Sequence, residues 1–334
     1  MEAENRLLSL LDFEKNNIGT FTLTITNGSS FWNKSENLKR LNGILVILYN
    51  KIAEKIPTLA VLRAIVVTSD VLSEYDRLLE GTTRRSRVNA PREGILAGKV
   101  LTWGKRETDE NYYAAIVLDE KICIAAFEDD NEGKAMIVHE LAHVAEGFIT
   151  RNIRGSKSED IYNHEWEKIK YSKATTVYSE FFAQIMAYSY YPNKEVLQDH
   201  IDHAITFLRS VTDFLSSEIA KYRWHADMNR FWPLTVSELS RVFDQIGRSI
   251  GLLVCIDDEN NEAAWKSFID QIEAINSSWV PVMEEFKYAL LTINNFEGNS
   301  FDPLCDAIDH GFNATGLIPQ ILEDGTFYIH VPGE

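Results

Sequence analysis

Ala135-Met136-Ile137-Val138-His139-Glu140-Leu141-Ala142-His143-Val144-Ala145-Glu146-Gly147 is the stretch on which the reading of this chain turns. At its centre is H-E-x-x-H, with His139 and His143 one helical turn apart and Glu140 beside the first. On an α-helix that spacing puts both imidazoles on one face, where they can grip a single metal ion. Glu140 stands next to that face, where its carboxylate can take a proton from water at the ion. Upstream, Asp129-x-x-Glu132 reads as a capping box that starts the helix well before His139. Ile137, Leu141, Val144 and Phe148 recur at helical spacing and form an apolar stripe. At about 100° per residue the stripe lies opposite the histidines. One side of the helix is therefore expected in a core and the other at the metal chemistry.

An open zinc site takes three protein ligands and leaves a fourth position for water. Glu146 shares the histidine face but lies about 10 Å along the axis from His139 at the usual helical rise. It meets the same ion only if the helix breaks at Gly147. A better candidate lies in Thr175-Thr176-Val177-Tyr178-Ser179-Glu180-Phe181-Phe182-Ala183-Gln184-Ile185-Met186-Ala187, expected to be helical until Pro192. There Glu180, Ala183, Gln184 and Ala187 share one face. The alanines permit close approach to the histidine helix, Glu180 supplies the third ligand, and Gln184 is placed to orient a histidine. His164 is an alternative ligand, in the polar stretch from Thr150 to Lys173 that reads as a loop with one or two helical turns.

His139-Glu140-x-x-His143 followed by a helix bearing Glu180 resembles the gluzincin group of zinc metallopeptidases. The resemblance implies one zinc ion per chain held by His139, His143 and Glu180, with Glu140 as the general base of peptide-bond hydrolysis. The Glu180-Phe181-Phe182-Ala183 step is similar to the E-x-x-A of small bacterial metallopeptidases of the ImmA/IrrE kind. The best-known gluzincin pattern has Asn before the ligand glutamate and Asp four residues after it, where this chain has Ser179 and Gln184. The metzincin extension fails, because Glu146 and Ile149 occupy its glycine and third-histidine positions.

A chain of 334 residues can bury a full core and suits one large domain or two modest ones. Its 33 basic against 50 acidic side chains give a net charge of −17, which repels nucleic acid and anionic membranes. Neither is expected as a partner, whereas a protein or peptide substrate is. Three widely separated cysteines, Cys123, Cys255 and Cys305, form no C-x-x-C pair and read as reduced thiols of a cytosolic protein. The first residues lack a secretory signal, and no stretch approaches the ~20 apolar residues that span a bilayer. A soluble, cytoplasmic protein is expected.

In chain order, the pattern predicts strands at residues 21–26, 64–68, 100–103 and 112–118, and helices at 35–56 and 71–79 before the histidine helix. Gly81 to Gly98, with Arg84, Arg85, Arg87 and Arg92 in an otherwise acidic chain, reads as an exposed loop and a candidate substrate contact. Helices are expected again at 196–222, 236–253, 263–275 and 280–293, with a last strand at 326–331. The expected class is α+β, and the element order resembles the zincin fold. That resemblance implies a mixed sheet carrying the active-site and glutamate helices, with the strand Ala114–Leu118 pairing with an extended peptide. Residues 1–192 would form the catalytic domain, and the mostly helical 193–334 would complete the cleft or select the substrate. Tyr178, Tyr188, His200, His203 and His225 are candidates to steady an oxyanion. Two other readings stay open: a regulatory protein with a structural or sensory zinc site, and a zinc hydrolase of a non-peptide bond.

Overall fold

The computed structural model describes residues 21–80, 97–103, 113–153, 164–255, 258–294, 300–323 and 326–331. The four loop arginines, Arg84, Arg85, Arg87 and Arg92, lie outside the described residues. The fold is α+β, and the chain divides into two compact units. One comprises Met1–Gly147 with Met186–Asn193, the other Phe148–Ile185 with Lys194–Glu334.

The first unit holds a mixed sheet of β1 (Thr22–Thr26), β2 (Leu62–Thr68), β3 (Gly98–Trp103) and β4 (Tyr113–Asp119). The order is β1-β2-β4-β3, with β1, β2 and β4 parallel and β3 antiparallel to β4. Ile65, Val66 and Val67 of β2 and Ile116, Val117 and Leu118 of β4 are all buried, as unbroken apolar runs in interior strands should be. Helix α1 (Ser35–Ala53) buries Leu41, Leu45, Leu48 and Ile52, the stripe that its sequence period implies. Helix α2 (Val71–Leu79) starts where the Asp70 side chain accepts the Ser73 N–H, and it packs Val71, Leu78 and Leu79 with Val66, Leu101 and Val117. Helix α3 (Glu120–Phe127) is an addition to the expected elements. Its eight residues are too short for a periodic signal, and it starts on Asp119, which accepts the Lys121 N–H.

Two expectations change here. Ala114–Leu118 is interior, because β4 is paired by β2 on one side and β3 on the other. Its main chain is used on both sides, so it is closed to an added strand, and β3 occupies the edge. The histidine helix, α4 (Asn131–Ile153), starts one residue later than its capping box implied. Asp129 takes φ 75° and pairs with Lys134, so Asp130 caps the helix by accepting the Gly133 N–H at 2.8 Å. Glu132 instead accepts the Tyr188 hydroxyl.

In the second unit α5 (Glu165–Tyr190, of which residues up to Ile185 belong here) begins well ahead of the expected Thr175. Long-range contacts hold its first turns: Trp166 Nε1 donates to Asp309 Oδ1 at 2.7 Å, and Lys170 Nζ to Asp309 Oδ2 at 2.8 Å. Helices α6 (Lys194–His225), α7 (Met228–Val254), α8 (Asp258–Ile275) and α9 (Trp279–Asn294) follow. α7 starts ahead of the expected 236 and contains Pro233, its N-terminus capped by Asp227. Helix α10 (Asp302–Ala314) and β5 (Ile318–Ile321), which pairs antiparallel with β6 (Phe327–His330), add to the expected elements. Phe312 of α10 packs in one aromatic group with Trp166, Trp232 and Phe243. Among the described residues, no helix is long and apolar enough to cross a membrane.

The three cysteines are free, and burial pushes the Cys123 thiol far up and that of Cys305 to about 12. Thiolate is the reacting form, so both should resist thiol reagents in the folded protein, while Cys255 is part-exposed. A colorimetric thiol titration at neutral pH should therefore find at most one fast-reacting group in the native protein and all three after denaturation. Rapid modification of two or more native thiols would contradict the burial.

Candidate metal centre

Between Ala135 and Glu146 the expected amphipathic helix is instead buried on both faces. Ala135, Ile137, Val138, Leu141, Ala142, Val144 and Ala145 are buried, and so are His139, Glu140 and Glu146, each 6% exposed. Burying imidazole and carboxylate groups costs free energy unless they are paired or bind a metal. Their concentration in one buried helical segment makes it a candidate for a metal-binding site.

His139 Nε2 and His143 Nε2 lie 3.0 Å apart, with the two rings inclined at 88°. Two zinc–nitrogen bonds of about 2.0–2.1 Å at a tetrahedral angle place their nitrogens about 3.3 Å apart, so the pair is near chelating spacing. Ligand atoms of His139, His143 and Glu180 all lie within 4.8 Å of one another, and this group could hold a metal ion. Two imidazoles and a carboxylate suit zinc and neighbouring divalent transition ions. The other two candidates are not in that group. Helix α4 runs unbroken through Gly147, which leaves Glu146 two turns along from His139, and His164 sits just ahead of α5.

Glu140 is placed by a residue that the pattern did not single out. Gly98, the first residue of β3, lies so close that a Cβ there would be 2.8 Å from Glu140 Cγ, 2.9 Å from its Cδ and 2.9 Å from the Val117 carbonyl oxygen. The strand and the Glu140 side chain share the space that a side chain at Gly98 would fill. Gly98→Ala is expected to destabilise the protein by about 1–3 kcal/mol, the usual cost of overpacking. The Val117 contact is backbone and cannot rotate away. A melting temperature equal to that of the parent would mean that β3 does not press on Glu140.

Glu180 is held within its own unit by α7. Arg248 Nε donates to Glu180 Oε2 at 2.7 Å. Gly247 and Gly251 let α7 approach: a Cβ at Gly247 would be 2.4 Å from the Val177 carbonyl oxygen, and one at Gly251 2.8 Å from that of Phe181. Gln184, expected beside a histidine, is 4% exposed, and its Cβ would be 3.0 Å from a Cβ at Gly251. Sequence reading passed over Arg248. The Gly247-x-x-x-Gly251 spacing, which lets two helices touch backbone to backbone, was the available signal.

Of the residues considered for an oxyanion, Tyr188 spends its hydroxyl on Glu132 and is 3% exposed. Tyr178 sits in an aromatic cluster with Phe181, Phe182 and Phe301. His203 and His225 are exposed, and His200 is half-buried. No family model, curated protein or solved structure matches this chain.

Proposed function

We propose that the chain is a zinc-dependent metallopeptidase with a zincin-like core in residues 1–192, acting on a protein or peptide substrate. The observation that carries this reading is the grouping of His139, His143 and Glu180 ligand atoms within 4.8 Å, next in sequence to the buried Glu140. His139 and His143 would bind zinc through their facing Nε2 atoms, and Glu180 through a carboxylate oxygen. Zinc bound there supplies a Lewis acid that polarises a carbonyl and makes water acidic enough to give up a proton near neutrality. Glu140 would accept a proton from water as the water oxygen bonds to the scissile carbonyl carbon, and would return it to the amine nitrogen as the C–N bond breaks. Its burial keeps bulk water from competing for the carboxylate and strengthens its charge interactions. Residues 193–334 would select the substrate or complete its binding surface.

The direct test is metal content and its dependence on each ligand. Purified protein should carry about one zinc per chain, as a three-ligand catalytic site does. His139→Ala, His143→Ala and Glu180→Ala should each lose most of it. Full zinc content in Glu180→Ala, together with loss in Glu146→Ala or His164→Ala, would overturn the ligand assignment. Digestion of a peptide library, abolished by a chelator and restored by zinc, would separate peptidase from other hydrolase activity.

A further inference from the structure

We propose that Arg248 is a positioning residue for Glu180, fixing the carboxylate in the orientation in which it meets the metal. This rests on the reading of Glu180 as a zinc ligand and adds to it the group that presets that ligand. Three observations carry it. The guanidinium Nε lies 2.7 Å from Glu180 Oε2, a charge-assisted hydrogen bond between residues 68 apart in sequence. Arg248 is brought there by a close backbone approach of α7 to α5: Gly247 and Gly251 sit against Val177 and Phe181, which bracket Glu180. Finally, the Glu180 side chain is 14% exposed, so its orientation is set by the protein more than by water.

Two effects of the guanidinium oppose each other at a metal. Its positive charge weakens the pull of the carboxylate on a cation, whereas its hydrogen bond removes the rotamers in which the carboxylate points elsewhere. The Arg248 side chain is 45% exposed, so water and salt screen the first effect. The hydrogen bond that restricts the rotamer is short-ranged and directional, so screening weakens it less than it weakens the long-range charge effect. Positioning therefore prevails, and a carboxylate has a second oxygen with which to meet an ion while the first accepts from Arg248. Partners of this kind, one step out from a metal, typically contribute 10–100-fold in affinity.

The experiment is a zinc titration of the full chain against a chromogenic chelator, for the parent, Arg248→Ala, Arg248→Gln, Arg248→Lys and Glu180→Ala. Arg248→Gln keeps the side-chain stem if the alanine variant folds poorly. Both are expected to bind zinc roughly 10–100-fold more weakly than the parent, with the melting temperature of the metal-free protein little changed. Arg248→Lys should fall between, because an ammonium keeps the charge without the planar Nε donor. The visible spectrum of the cobalt-loaded protein should change in Arg248→Ala, which a loss of packing alone would not produce. Zinc affinity within twofold of the parent, or tighter, in Arg248→Ala and Arg248→Gln overturns the positioning role and leaves the three-ligand site standing. Unchanged affinity in Glu180→Ala, or no zinc uptake by the parent, overturns the ligand reading and this inference together.

Discussion

Glu140→Gln is expected to keep the zinc content and melting temperature of the parent and to lose turnover by about 10²-fold or more, the usual contribution of a positioned acid–base group. The side chain lies beside the ligand face, between the two histidines in sequence, and is 6% exposed. An amide has the same shape as the carboxylate and fills the same space against Gly98, so the packing there is kept. What it loses is the ability to accept a proton. The measurement is steady-state cleavage of a peptide identified by library digestion, alongside metal analysis of the same preparation. If the variant cuts as fast as the parent, Glu140 is a bystander and the peptidase reading falls. If it loses zinc as well, Glu140 belongs to the ligand set and the assignment of Glu180 needs revision.

Gly247→Ala is expected to be among the most destabilising single-methyl additions at the described glycines. The new Cβ would lie 2.4 Å from the Val177 carbonyl oxygen and 3.2 Å from its carbon, both backbone atoms of α5 that no rotamer change can move. Helix α7 must lift away from α5 or bend. Overpacking of this kind costs about 3 kcal/mol at the upper end of its usual range. The better helix propensity of alanine returns about 1 kcal/mol, for a net loss of about 2 kcal/mol. Gly43→Ala is the internal control, since Gly43 lies in α1 with nothing within 4 Å of an added Cβ, and it should be neutral to stabilising. Denaturant unfolding of both variants tests the contact. A midpoint for Gly247→Ala at or above that of the parent would mean that α7 and α5 are not touching at Val177. Because Arg248 rides on the same turn, the variant should also hold zinc less tightly.

The histidine helix shows where local pattern is sufficient and where it stops. The shared placement of His139, Glu140 and His143 was legible because it depends on spacing along one helix, which four consecutive peptide bonds determine. That the other face of the helix is buried too was not legible, since burial is decided by what packs from elsewhere in the chain. The capping box was misplaced by one residue for a local reason with no sequence signal, the left-handed backbone of Asp129. The early start of α5 depends on Asp309, which meets Trp166 and Lys170 from more than 130 residues away.

The sequence by itself determined the α+β class, most element positions and the one-turn spacing of the histidine pair with its neighbouring glutamate, because each follows from periodicity or spacing; helical rise was the ground for proposing Glu180 rather than Glu146 as the third ligand. Only the tertiary structure decided that β4 is interior and β3 the edge, that Gly98 yields its space to Glu140, and that Arg248 meets Glu180. Those depend on strand order and on the approach of backbones distant in sequence. Such approaches are governed by which side chains are missing as much as by which are present. A glycine records the room it leaves, and the partner that occupies that room is named only by the fold.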